Sequence, residues 1–127
     1  MEKTSRQISK THHIIFDAIG CDEKLLDSEE FVFKLLLEIP KIIDMKILSG
    51  PNVIRDYRKE NTGITGFAII SLSHISIHTF VETGEIYIDV FSCRPFDYQK
   101  VRQYLFDTLK IQPNQVETLE VKYPWEE

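Results

Sequence analysis

One short stretch of the chain holds a hydroxyl, two imidazoles, a carboxylate and a thiol: Ser73, His74, His78, Glu82 and Cys93. A serine hydroxyl can attack a carbonyl, an imidazole can move a proton, and a carboxylate can accept hydrogen bonds. A thiol, with a pKa not far above neutrality, can return a proton to carbon. Each residue also has a plainer use. A strand serine is usually structural, a half-buried cysteine packs as a small hydrophobe, and two histidines without a third ligand are a weak metal signal. On pattern alone, a small enzyme and a ligand-binding or interaction domain are equally open.

The surrounding residues form a β-hairpin by their periodicity. From His74 to Phe80, Ile75 and Ile77 fall on one face and His74, Ser76 and His78 on the other. Val81-Glu82-Thr83-Gly84 marks the turn. From Glu85 to Cys93, Ile86, Ile88 and Val90 alternate with Tyr87, Asp89, Phe91 and Cys93. A turn centred near Thr83 sets Phe80 opposite Ile86, His78 opposite Ile88 and Ser73 opposite Cys93, within a residue of register. Both faces of the hairpin then mix polar with large apolar side chains. Burial of the second face in a dimer, with a site at the interface, explains such a mixture.

The other elements follow from the same rules. His12 to Ala18 reads as a first strand ended by Gly20, with His12 and His13 on opposite faces. Asp27 or Ser28 caps a helix carrying Phe31, Phe33, Leu35, Leu36 and Ile39, which ends or kinks at Pro40. Met45 to Leu48 and Val53 to Tyr57 read as two strands around a Gly50-Pro51-Asn52 turn, and Gly66 to Ser71 as another strand. Pro95 or Asp97 opens a second helix containing Val101, Leu105 and Leu109, and Val116 to Val121 is the last strand. The expected architecture is α+β: a two-layer sandwich, a largely antiparallel sheet with two helices on one face.

The 127 residues suffice for a single domain, 1–127, with one core. A net charge of -5 opposes a nucleic-acid partner, which clustered cations would bind. No run reaches the length of a membrane span, and Met1 to Arg6 is polar with no apolar signal core behind it. The two cysteines, Cys21 and Cys93, are no disulfide framework and fit free thiols in the cytoplasm.

The run Gly63-Ile64-Thr65-Gly66-Phe67-Ala68-Ile69-Ile70-Ser71-Leu72-Ser73-His74-Ile75-Ser76-Ile77-His78-Thr79-Phe80-Val81-Glu82-Thr83-Gly84, followed by Asp89-Val90-Phe91-Ser92-Cys93, resembles the prokaryotic S-adenosylmethionine decarboxylase proenzymes. The shared features are a Ser-His-x-x-x-His run, an IHT-x-x-E-x-G turn and a DVF-x-C end. Gly20-Cys21-Asp22-Glu23-Lys24-Leu25-Leu26 is similar to the family's GCD-x-x-LL segment.

The resemblance implies that the chain breaks itself before Ser73, giving a β chain of 1–72 and an α chain of 73–127. Ser73 would attack the Leu72 carbonyl to form an ester. His78 would then remove the serine α-proton, and Ser73 would become a pyruvoyl cofactor. Thr65 would assist, where the family commonly has serine. The pyruvoyl ketone would form a Schiff base with S-adenosylmethionine and act as the electron sink for decarboxylation. The product is the aminopropyl donor for spermidine. Cys93 would return the proton. Glu82 would hold the ribose hydroxyls. Phe80, where tryptophan is common, would stack on the adenine or face the sulfonium. Leu72 stands where the family usually has glutamate. The resemblance also implies a homodimer; no metal is expected, because the histidines lack a third ligand. Two other readings stand beside this one: a related pyruvoyl enzyme acting on arginine or another amino acid, and an unprocessed binding relative.

Overall fold

The structure, a computed structural model, describes residues 10–124. The polar segment Met1 to Arg6 lies outside them. At its centre are two adjacent antiparallel strands, β4 (Ser73–Phe80) and β5 (Glu85–Ser92). β1 (His12–Ala18) lies beside β5, and β6 (Val116–Glu120) forms one edge. β3 (Gly63–Ile70) lies beside β4, and β2 (Ile47–Asp56) forms the other edge. The six strands run in the order β2-β3-β4-β5-β1-β6, all antiparallel. Two long helices, α2 (Glu29–Ile42) and α3 (Tyr98–Leu109), follow a short α1 (Glu23–Leu26). The α+β sandwich expected from the periodicity is the one observed.

Alternation decides what faces the helices. Ile75 and Ile77 of β4 and Ile86, Ile88 and Val90 of β5 are all buried. They meet Val32, Leu35, Leu36 and Ile39 of α2 and Val101, Leu105 and Leu109 of α3 in one core. Full burial of each such side chain contributes about 1.5–3 kcal/mol. The helix-facing side of the hairpin is therefore almost wholly apolar, not mixed. Its polar exceptions are the buried hydroxyls of Ser73, Thr79 and Ser92. Thr79 Oγ1 donates to the Leu26 carbonyl at 2.9 Å and accepts from Ile64 N–H at 3.1 Å, which removes the cost of burying it. The mixed face is the opposite one, which no helix covers.

Several boundaries differ from the sequence reading. Ser28 caps α2 by accepting from Phe31 N–H at 3.0 Å. The helix runs through Pro40 to Ile42, so the proline neither ends it at Ile39 nor prevents its last turn. Val32 takes the core position, and Phe33 is exposed. The segment read as two strands around Gly50-Pro51-Asn52 is one strand, β2. Register shifts on either side of Ser49 absorb the glycine and proline as an irregular edge, where a missing N–H costs little. Asp97, not Pro95, caps α3 through Gln99 N–H at 3.0 Å.

Candidate active site

The β4–β5 hairpin is offset by one residue from the expected register. Phe80 pairs with Glu85, His78 with Tyr87 and Ser73 with Ser92. The cause is a four-residue turn, Val81 to Gly84, whose centre lies half a residue before Thr83. Cys93 therefore sits just past the end of β5, one position beyond Ser73's partner. Its backbone N–H nevertheless donates to the Leu72 carbonyl at 3.0 Å. Cys93 is thus tied by its backbone to Leu72, the residue before Ser73, and does not face Ser73 across the hairpin.

The start of β4 is closely held. Ser71 and Leu72 are the two-residue connection between β3 and β4, since Ile70 pairs with Ser73. Leu72 has φ 55°. A leucine in the left-handed region costs about 1–2 kcal/mol, because its Cβ crowds the backbone. The Leu72 side chain is 67% exposed, so no packing of its own offsets this. Ser73 is 8% exposed and points into the helix-facing layer. Its Oγ lies 2.8 Å from the Ser71 carbonyl, 2.7 Å from Ser92 Oγ and 3.4 Å from Met45 Sδ. Ser92 Oγ is itself fixed by accepting from Arg94 N–H at 2.8 Å. Ser92 was invisible to motif reasoning; the correct register would have placed it.

His78 and Thr65 lie directly opposite each other on β4 and β3, with Thr65 Oγ1 2.9 Å from His78 Nδ1. Both are exposed on the helix-free face. His78 is five residues along the strand from Ser73, about 16 Å at the usual rise. It also points to the opposite side of the sheet. Within one chain, this pair does not reach Ser73. Phe80 and Glu82 are farther still. Phe80 packs edge-on against Tyr87 at 5.6 Å between ring centroids. Glu82 is exposed in the turn, where Asn61 Oδ1 accepts from its backbone N–H at 3.1 Å. The seven candidate residues thus fall into three groups spread along β3, β4 and β5 and their connections.

Between these groups the open face is polar and aromatic. Asp89 Oδ1 lies 3.5 Å from His13 Nε2 and 3.9 Å from His74 Nε2, and Asp89 Oδ2 accepts from Ser76 Oγ. His74 is stacked between Phe67 and Phe91, at 5.5 and 5.0 Å. A cleft of about 290 Å³ is lined by His13, Ile15, Asp17, His78, Tyr87, Ile88 and Asp89. Desolvation, and then the neighbouring Asp89 charge, raise the Asp17 carboxyl above the usual range. Tyr87 is raised chiefly by its hydrogen bond to Glu85. Cys21 is buried on the other side of the sheet, and burial pushes its thiol up to about 11, so it is a packing residue. Among the described residues, no group of three His, Cys, Asp or Glu is placed to hold a metal. No helix there is long and apolar enough to cross a membrane.

Residues 12–122 match the S-adenosylmethionine decarboxylase family. The chain belongs to that family. A decarboxylase proenzyme from Clostridium botulinum (strain Langeland) is 35% identical over 77% of this chain and 82% of its own length. One from Synechococcus sp. (strain WH7803) is 38% identical over 77% of this chain and 74% of its own. The crystal structure of adenosylmethionine decarboxylase from Aquifex aeolicus superposes with a TM-score of 0.72 at 25% identity, covering 95% of this chain and 96% of that one. The decarboxylase proenzymes of this family depend on a pyruvoyl group. The residues here fit such a group. A serine starts β4, its hydroxyl is held 2.8 Å from the Ser71 carbonyl, and a backbone N–H already holds the Leu72 carbonyl oxygen.

Proposed function

We propose that this chain is the proenzyme of a pyruvoyl-dependent S-adenosylmethionine decarboxylase that opens its own Leu72–Ser73 bond. The observation that carries this reading is the hydrogen bond from Cys93 N–H to the Leu72 carbonyl. Attack by Ser73 Oγ places negative charge on that oxygen, and a donor already aimed at it stabilises the charge without reorganisation. The left-handed Leu72 adds strain that opening the bond releases. The contacts to the Ser71 carbonyl and Ser92 Oγ hold the hydroxyl in place, and the proton it loses ends on the Ser73 nitrogen, which leaves as the free amine when the C–N bond breaks.

Decarboxylation then uses the same end of the hairpin. The pyruvoyl group made from Ser73 supplies a ketone that draws electrons from the substrate's α-carbon as carbon dioxide leaves. The Cys93 thiol, half-buried one position past Ser73's strand partner, returns a proton to that carbon. Glu82 holds the ribose hydroxyls, and Phe80 offers a ring to the adenine or the sulfonium. His78 removes the serine α-proton during maturation, oriented by Thr65.

These groups are separated within one chain, so the site requires two. A homodimer formed through the helix-free faces places His78, Thr65, Phe80 and Glu82 of one protomer against Ser73 and Cys93 of its partner. It also covers Ile54, Phe67 and Ile69, which are 69%, 38% and 45% exposed. The free thiols of Cys21 and Cys93 fit a reducing compartment, and we take the cytoplasm as its place of work.

Intact-mass measurement of the purified chain tests the reading. Two fragments, 1–72 and 73–127, with a keto group at the new N-terminus, are the expected outcome. A chain that stays whole after prolonged incubation would falsify it. Ser73→Ala gives an uncleaved, inactive chain, while Cys93→Ala cleaves but turns over poorly. Carbon dioxide release is expected from S-adenosylmethionine and not from arginine. The reverse result would keep the cleavage and change the substrate.

A further inference from the structure

A second groove lies behind the Leu72–Ser73 bond, on the side away from the mixed face. It has a volume of about 490 Å³ and is lined by Lys41, Asp44, Met45, Lys46, Ser71 and Arg94. Three cations face one carboxylate there, in a protein whose net charge is -5. The groove is joined to the bond by direct contacts. Met45 Sδ and the Ser71 carbonyl, both from lining residues, are 3.4 and 2.8 Å from Ser73 Oγ. The Lys46 carbonyl accepts from Ser71 N–H at 3.0 Å. Arg94 follows Cys93, whose N–H holds the Leu72 carbonyl, and donates its own N–H to Ser92 Oγ.

We infer that Lys46 and Arg94 form an anion site that receives the Leu72 carboxylate as it is expelled from Ser73. The inference rests on the self-cleavage proposed above. In that reaction the bond between the Leu72 carbonyl carbon and Ser73 nitrogen is replaced by an ester to Ser73 Oγ. The base then takes the Ser73 α-proton. The freed electron pair becomes the Cα=Cβ bond, the Cβ–Oγ bond breaks, and its pair leaves on the oxygen. Water then replaces the nitrogen of the resulting dehydroalanine, releasing ammonia and leaving the pyruvoyl group. The departing oxygen is Ser73 Oγ itself, so the new carboxylate forms against Met45 and Ser71, at the groove's wall. A neutral carbonyl becomes a full negative charge at the step where the cations count, and attraction that exists only then lowers the barrier. Lys41 also lines the groove, but it sits in the last turn of α2 and is partly balanced by that helix end. Asp44 opposes the site and leaves it with an excess of positive charge.

The test follows freshly folded Lys46→Ala, Arg94→Ala and the double variant by intact mass, each with and without hydroxylamine. Hydroxylamine cuts an ester and leaves a hydroxamate on Leu72, so it separates the ester from the intact amide, which has the same mass. Since both side chains are exposed, the expected slowing is about threefold for each single variant and about tenfold for the double one. The ester should accumulate in the double variant, and Lys46→Arg should restore the rate. In the unaltered chain, high salt should slow fragment formation and raise the ester fraction, a reading that needs no variant. A double variant that matures at the original rate would overturn the inference. So would slowing without a hydroxylamine-sensitive ester, which would place the effect on the first step. An unaltered chain that never cleaves fails the parent reading instead.

Discussion

The two faces of strand β4 are a contrast within eight residues. Ile75, Ile77 and Thr79 point into the helices, are buried, and hold the fold together. His74, Ser76, His78 and Phe80 point the other way, into a layer of rings and charges that no helix covers. Ser73 breaks this division. It belongs by parity to the structural face, yet the proposed reaction starts on its hydroxyl. The difference teaches that the strand does not simply present chemistry on one side. The proposed self-cleavage would begin in the core layer, where Ser92 and Ser71 hold the hydroxyl. The later steps of the proposed reaction would draw on the opposite face, which the proposed dimer would bring within reach.

Substitutions on each face can break this comparison. His78→Ala should slow fragment formation by about 10²–10⁴-fold, the usual range for losing a positioned acid or base. It should leave the melting temperature almost unchanged, because the side chain is exposed. A large loss of stability instead would move His78 to the structural side. Its neighbour Ile77→Ala should do the opposite, costing about 2–5 kcal/mol in denaturant unfolding while fragments still form under folding conditions. Ser92→Ala should slow cleavage about five- to tenfold, the equivalent of one lost hydrogen bond to Ser73 Oγ, and Ser92→Thr should recover it. Cleavage unaffected by Ser92→Ala would show that Ser71 alone holds the nucleophile.

The smallest expected effect concerns pH. The Asp17 carboxyl is raised in the folded chain, so its charged form is disfavoured there. Its contribution to stability is present at low pH and is lost as pH rises through the folded value. Asp17→Asn should therefore stabilise the chain slightly at pH 7 and not at pH 3. Unfolding curves at the two pH values check the sign. A dimer that supplies a cation to Asp17 would reverse it.

Much of this was legible in the sequence because alternation is a strong signal. Ile75, Ile77, Ile86, Ile88 and Val90 mark both central strands and the face they bury. Asp97 and Ser28 mark helix starts for the same local reason, a side-chain oxygen before an apolar run. Register was not legible to the residue, because Val81-Glu82-Thr83-Gly84 allows turns of more than one length. That single step hid Ser92, whose only mark is its place opposite Ser73. β2 was misread because Gly50-Pro51 looks like a turn, and only its edge position allows a strand to carry it. The basic groove depends on Lys46 and Arg94 meeting from distant segments, which no local pattern encodes.

The position of Leu72 has a last consequence. The bond after it lies in the loop joining β3 to β4, while the strands themselves stay paired from Gly63↔Phe80 to Ile70↔Ser73. A cut there leaves the pairing from Gly63↔Phe80 to Ile69↔His74 in place, so the two pieces would remain one folded body. What changes is the molecularity of unfolding. The intact chain unfolds into one polypeptide, but a protein matured as proposed would dissociate into two. Its melting temperature then rises with protein concentration, and dilution of the unfolded pieces opposes their return. The proposed maturation would thus exchange a one-chain fold for one whose recovery depends on the two fragments finding each other.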